Sequence, residues 1–321
     1  MKRRILIVLL AVGLMLSLAA CQKKSKNAVI RINDTGQFAS VVQRVIMLRN
    51  MLEQYLPDGV SVEWTSITSG ADQRDAIIAG QLDITAMSII QFLSSIENNL
   101  PLTLLSSSAA QNVFLYSNNE QIRQFKDITA STKIAITGRA TNMELAFFLK
   151  SAEALGDPLI FYNNLITMPN TEMLALLTTS KEIDLAIIVL PNNIAADEIE
   201  NLTMIEDLTP IIIENSLASL FVTHNDFLKN NPILIEAFRR AAKDAVRFIN
   251  ENPAEAAGLL AGDYGIEAKH LENAFQRYPI QLEIREEGFN NTANLLFKMK
   301  ILSKPAIKFS ELPNYNNIPK E

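Results

Sequence analysis

The residues best placed to do chemistry in this chain are small and uncharged, and they sit at four elbows. These are Thr35-Gly36-Gln37-Phe38, Ser69-Gly70-Ala71, Gly138 to Asn142, and Asn170-Thr171. Ser69 to Asp72 and Thr141 to Glu144 each fit the hydroxyl-x-x-acid capping box that begins a helix. The first turn of a helix presents backbone N–H groups without acceptors and the positive end of its dipole, so it favours an anion or a carbonyl. Arg139 is the single cation at an elbow, with the fork geometry that pairs a carboxylate, sulfonate or phosphonate.

Catalytic constellations are not visible. The sequence holds no G-x-S-x-G elbow, no H-E-x-x-H, no phosphate-binding G-K-[ST] loop and no dinucleotide G-x-G-x-x-G. Of two histidines, His224 follows a strand and reads as a turn or cap residue. His270 lies in a Lys/Glu-rich helix and reads as solvated. Neither has a nucleophile or paired carboxylate at useful spacing. The expectation is a non-enzyme, with no catalytic residue, no cofactor and no metal.

The elements around the elbows read as strand and helix in alternation, which predicts an α/β fold with mostly parallel sheets. Ala28 to Asn33 is a buried first strand, and apolar residues at helical spacing predict a helix over Gln37 to Leu56. Val60 to Ile67 alternates as a strand, Gly80 stops the next helix, and Leu82 to Met87 is a further strand ending at Ser88, itself a cap candidate. Strands at Leu100 to Ser108 and Asn112 to Asn118 complete a predicted set of five. After the polar SNNEQ the pattern restarts. DAIIAGQLDITAM and LALLTTSKEIDLAII share one plan: apolar helix, polar step, Asp, strand. Asp83 and Asp184 read as turn-formers at the end of the sheet opposite the elbows. Trp64, Phe92 and Tyr162 read as packing residues. Asn231-Pro232 and Asn252-Pro253 open two of the helices that fill the last third.

Length and charge narrow the classes. The chain has 321 residues, 48% hydrophobic content and a formal charge of -6, which suits two domains and argues against nucleic acid. Lys2, Arg3 and Arg4 precede an apolar run from Ile5 to Leu16 of signal-peptide length. The run ends at LSLAAC, which resembles a lipobox, so residues 1-20 are expected to be a signal peptide. Cys21, the only cysteine, is expected to carry the lipid, and 21-27 to be a tether. The single cysteine excludes an internal disulfide.

With these pieces in place, the sequence resembles a known family. The lipobox, the strand–TG–helix start, SGADQRDAIIAGQLDI, DITASTKIAITGRAT, EMLALLTTSKEIDLAII and NPILIEAFRRAAKDAVRFINENPAEAAGLLA together resemble solute-binding lipoproteins of ABC importers of the nitrate, sulfonate (taurine) and thiamine-precursor type. The resemblance spans Ala28 to about Leu302. It implies a bilobal type II periplasmic binding protein whose lobes are joined by two crossing segments, near NVFLYSN and IIIENSL. Residues 28-116 plus 215-321 would form one lobe and 117-214 the other. The implied ligand set is Thr35, Gly36, Gln37, Phe38, Ser69, Gly70, Ala71, Met87, Ser88, Arg139, Thr141, Asn142, Asn170 and Thr171.

The implied partners are a small solute, anionic or heteroaromatic, and the membrane permease of an ABC importer. The chain would be exported, a monomer held by lipid to the outer face of the cell membrane or lying in the periplasm. A TRAP-type transporter receptor and an enzyme of the pyrimidine-synthesis type on the same fold remain alternatives.

Overall fold

A computed structural model describes residues 28–109, 112–305 and 307–320; the expected signal peptide, Cys21 and tether lie outside the described residues. Two five-stranded sheets organise the chain. The first has strand order β2-β1-β3-β10-β4, from β1 (Ala28–Asn33), β2 (Val60–Thr65), β3 (Ile84–Ser88), β4 (Leu102–Ala109) and β10 (Ser219–His224). The second has order β7-β6-β8-β5-β9, from β5 (Val113–Ser117), β6 (Ile134–Ile136), β7 (Leu165–Thr167), β8 (Leu185–Val189) and β9 (Thr203–Asp207).

In each sheet four strands run the same way and one runs against them. That strand is β10 in the first sheet, antiparallel to β3 and β4, and β5 in the second, antiparallel to β8 and β9. The reversed strands are where the chain changes lobe. It leaves β4 to enter β5, and it returns from β9 through the short helix α7 (Thr209–Glu214) to β10. The expected mostly parallel α/β sheets are therefore present. One strand is corrected: Val113–Ser117 does not close the first sheet but belongs to the second, and β10 takes the fifth place. All five of its residues are buried, and an apolar run of that kind does not reveal which sheet will bury it.

Helices follow the strands. They are α1 (Val41–Leu48), α2 (Gly70–Ile78), α3 (Ile89–Glu97), α4 (Asn142–Leu155), α5 (Asn170–Thr179) and α6 (Asn192–Asp197), then α8 (Asn225–Asn230), α9 (Pro232–Glu251), α10 (Pro253–Tyr264), α11 (Ala268–Arg277) and α12 (Glu286–Lys298). The helix expected over Gln37 to Leu56 is broken. A 3-10 turn at Phe38–Ser40 precedes α1, and Asn50, with φ +49, ends the run. Two cores form on opposite faces of the sheets. One joins Ile30, Val42, Phe221 and Phe238 with Met173 and Ala186; the other joins Phe92 and Val222 with Phe147, Ile187 and Phe289. No helix among the described residues is long and apolar enough to cross a membrane.

The paired sequence plan reappears as paired geometry. Asp83 accepts from the Arg31 N–H through Oδ2 at 2.7 Å, and its own N–H donates to the Arg31 carbonyl at 2.9 Å. Asp184 does the same with Lys133, at 2.9 Å for both bonds. Each aspartate thus locks the start of a central strand to its neighbour. The elbows are left at the opposite, carboxyl ends. Burial raises the Asp83 carboxyl above its ordinary value, against the lowering effect of the Arg31 N–H and guanidinium.

The returning segment is held by the last helix. Thr292 Oγ1 donates to the Asn215 carbonyl at 2.8 Å, and Ser216 Oγ donates to the Arg285 carbonyl at 2.9 Å. Gly288 permits the contact, because a Cβ there would lie 2.1 Å from the Glu214 carbonyl oxygen. Gly288→Ala must push backbone away from backbone. It is expected to cost about 1–3 kcal/mol, read as a lower urea-unfolding midpoint with unchanged slope.

Candidate functional site

The carboxyl ends of both sheets face a cavity of about 340 Å³, lined on one side by residues of the first two elbows and of the Ser88 helix start and on the other by the Gly138 to Asn142 elbow. Its wall from the first sheet is Thr35, Gln37, Ala39, Ser40, Thr68, Gly70, Gln73, Ala86, Met87, Ser88, Gln91 and Ser219; its wall from the second is Thr137 to Met143. A space of that size holds a small molecule.

The first elbow is wired to itself. Asp34 Oδ1 accepts the Gly36 N–H at 2.9 Å, Ser40 Oγ accepts that of Thr35 at 3.2 Å, and Thr35 Oγ1 accepts that of Gln37 at 3.2 Å. Gly36 has φ +71, a conformation glycine adopts without a Cβ penalty. Beneath it the Arg44 Nε pairs with Asp34 Oδ2 at 2.7 Å, and Arg44 reaches Asp263 at 3.4 Å. Burial raises the Asp34 carboxyl, while the Gly36 N–H and Arg44 lower it. These three amides are occupied, so the elbow offers the cavity side chains: Thr35, Gln37 and Ser40.

The second elbow keeps its amides. Ser69 Oγ accepts the Asp72 N–H at 3.4 Å, which leaves Gly70 and Ala71 at the first two helical positions without an intrahelical acceptor. The loop before it is fixed by buried amides. Asn33 donates to the Ile67 carbonyl at 3.0 Å and accepts its N–H at 2.8 Å, and Gln73 Nε2 donates to the same carbonyl at 2.8 Å. Beside it, Ser88 forms a reciprocal capping box. Ser88 Oγ accepts the Gln91 N–H at 3.2 Å, and Gln91 Oε1 accepts the Ser88 N–H at 3.3 Å. Gln91 then lies across Gly70, where a Cβ would stand 1.9 Å from Nε2. Two helix starts are thereby packed side by side.

The third elbow, Gly138 to Asn142, carries its own charge pair. Thr141 Oγ1 accepts the Glu144 N–H at 3.2 Å and donates to the Gly138 carbonyl at 3.1 Å. Glu144 Oε2 accepts the Ala140 N–H at 2.6 Å, and Oε1 meets Arg139 Nε at 2.5 Å. The Arg139 guanidinium also lies 4.1 Å over the Tyr162 ring. The one cation of the elbows is therefore engaged within the protein.

Of the expected residues, Thr35, Gln37, Gly70, Met87, Ser88, Arg139, Thr141 and Asn142 line the cavity. Gly36, Phe38, Ser69 and Ala71 are not in its lining: Gly36 and Ser69 shape the turns, Ala71 follows Gly70 in α2, and Phe38 is 8% exposed and packs against Tyr264 and Phe275. Asn170 and Thr171 start α5 by backbone, and their side chains lie outside the described residues. Sequence reading missed Ser40, Thr68, Gln73, Gln91 and Ser219. Gln91, three residues after Ser88, had a signal in the capping-box spacing; Ser219, on an antiparallel strand from far along the chain, had none.

His224 caps α8, accepting the Asp226 N–H at 3.1 Å. His270 is not solvated: it is 9% exposed, with Nε2 3.0 Å from Glu198. Neither histidine lines the cavity. Among the described residues no cluster of His, Cys, Asp or Glu has the form of a metal site.

The sequence profile of the NMT1/THI5-like family matches residues 54–256, more than half of the chain. No curated protein sequence matches. Among solved structures, the chain is similar to the periplasmic aliphatic sulphonate-binding protein SsuA from Escherichia coli. The TM-score is 0.72 at 16% identity, over 89% of this chain and 97% of that one. It is similar also to the alkanesulfonate-binding protein SsuA from Xanthomonas axonopodis pv. citri bound to MOPS, with TM-score 0.69 at 14% identity over 92% and 99% of the two chains. For the periplasmic nitrate-binding protein NrtA from Synechocystis PCC 6803 the TM-score is 0.59 at 14% identity, over 76% of this chain and 69% of that one.

Glu144 is the residue on which the Gly138 to Asn142 elbow turns. Glu144→Ala removes the acceptor of the Ala140 N–H and the partner of Arg139. A loss of about 1–3 kcal/mol in unfolding free energy is expected by urea titration, while Glu144→Gln recovers part of it through the amide oxygen.

Proposed function

Because the chain belongs to the NMT1/THI5-like family and has the bilobal type II periplasmic-binding-protein fold, we propose that it is an extracytoplasmic solute-binding protein of an ABC importer. It would take up a small anionic solute between its lobes and deliver it to the membrane permease. The single observation that carries this reading is the cavity at the carboxyl ends of both sheets, where the starts of α2, α3 and α4 converge. Each exposed helix start favours an anion by about 0.3–1 kcal/mol, and by up to ~2 when partly buried. Aspartate and glutamate side chains are absent from the described lining, so nothing acidic opposes that preference there.

The lining also bears on the solute's class. No aromatic ring is among the described lining residues, and Phe38, Phe92 and Tyr162 are placed elsewhere. A solute held by ring stacking is thus less well served than one held by hydrogen bonds to Gln37, Gln91, Ser88 and Thr141. The anionic reading is retained over the heteroaromatic one.

Export, lipid attachment through Cys21 and a monomeric state belong to the same proposal and rest on the sequence. They would keep the protein at the outer face of the cell membrane or in the periplasm, beside its permease. Capture by two lobes that close around the solute is the motion such an architecture permits.

The soluble form beginning after Cys21 is expected to gain melting temperature with a panel of small sulfonates, carboxylates and inorganic oxyanions. A bound member at a hundredfold excess over its Kd adds about 2.7 kcal/mol. If no member of the panel shifts the transition, and native mass spectrometry finds no solute carried from the cell, the proposal fails.

A further inference from the structure

One side chain of the cavity wall holds a buried polar atom that the protein leaves unpartnered. Asn142, the first residue of α4, is 3% exposed and lines the cavity, and its Oδ1 has no hydrogen-bond partner. A buried amide is normally paired, because it has given up its water for nothing otherwise. The elbow around it is fully engaged: Thr141 with Glu144 and Gly138, Ala140 with Glu144, Arg139 with Glu144 and Tyr162. Of these elbow residues only Asn142 keeps a buried side-chain atom with neither a hydrogen bond nor an ion pair, and the residue lines the cavity.

The charges around it define what would suit. Glu144, 5% exposed, already places a carboxylate at the start of α4, and Arg139 pairs it. Both first turns hold an acidic residue, Glu144 buried and paired in α4 and Asp72 exposed in α2, but only α2 also carries open amides, those of Gly70 and Ala71, beside the cavity. An anionic group is better placed toward α2 and α3. The unpaired Oδ1 of Asn142 suits a neutral group able to donate a hydrogen.

We propose that Asn142 determines the specificity of the cleft by pairing its side-chain amide with a hydroxyl or amide group that the solute carries beside its acidic group. This rests on the solute-capture reading above and adds to it a second recognition point on the opposite lobe. Bare oxyanions and simple alkyl acids leave the Asn142 amide unpaired and are selected against. The residue is a binding and selecting group, one whose burial the unliganded protein tolerates at a cost.

The test uses matched pairs of probes titrated calorimetrically: glycolate against propionate, and 2-hydroxyethanesulfonate against propane-1-sulfonate. In the unaltered protein the hydroxylated member of a binding pair is expected to bind at least about tenfold more tightly, the effect of one well-made hydrogen bond to an otherwise unpaired group. Asn142→Ala is expected to level the pair, mainly by weakening the hydroxylated member. Gln43→Met serves as the control. Gln43 is another buried amide with unpartnered Oε1 and Nε2, but it is outside the cavity lining, so its loss is expected to keep the ratio.

Equal affinities within every pair that binds, or a ratio that survives Asn142→Ala, would overturn the proposal and leave solute capture standing. Binding of no probe by the unaltered protein would overturn the Asn142 proposal for these acids, while solute capture is decided separately by the wider panel and native mass spectrometry. A separate readout needs no solute: without probe, Asn142→Ala is expected to melt no lower than the unaltered protein. A fall of more than about 2 °C would mark Asn142 as a structural residue and overturn the proposal as well.

Discussion

The first turn of an α-helix leaves N–H groups without carbonyl acceptors, and everything at this site is an answer to where those groups go. Where a parallel strand feeds a helix, the open turn falls at the strand's carboxyl end. Two sheets that aim those ends at each other therefore bring several such turns around one space. In this protein the four turns are treated differently. At Thr35 to Gln37 the amides are consumed by Asp34, Thr35 and Ser40; at Gly70 and Ala71 they remain open. At Ser88 a reciprocal capping box consumes two, those of Ser88 and Gln91, and at Ala140 a glutamate consumes one. The cavity is thus asymmetric: helix amides stand open at α2, and an internal ion pair of Arg139 with Glu144 closes α4.

That asymmetry depends on structure at the other end of the sheets. Asp83 and Asp184 pin the starts of β3 and β8 to their neighbours through the same pair of bonds. The registers of both sheets are then fixed from below, and the helix starts above are held in place. The last helix performs a similar duty for the returning segment, where Gly288 allows α12 to approach the backbone of Glu214 and Asn215.

The alternation of strands and helices was legible because each step is local: apolar spacing, a cap three residues ahead of an acid, a glycine stop. The repeated helix–polar–Asp–strand plan was legible for the same reason, and its two aspartates turned out to do one job. What could not be read were choices made by distant residues. Val113–Ser117 is as apolar as any first-sheet strand, and only its pairing with β8 and β9 assigns it to the second. Arg139 looked available to a ligand until Glu144 and Tyr162, brought beside it by the turn, engaged it. His270 sits among Lys and Glu in sequence, yet the fold carries it against Glu198. Asn142 was readable as a helix-start residue; that its amide has no partner is a fact about its neighbours in space.

Amide hydrogen exchange, with and without the solute that copurifies or the tightest-binding acid found, tests the central claim most directly. If helix starts on both lobes hold the solute, segments containing Gly70–Ala71, Ile89–Ile90 and Asn142–Met143 should all exchange more slowly in its presence. Protection on one lobe alone, or protection centred instead on the α10–α11 corner around Gly265 to His270, would contradict it.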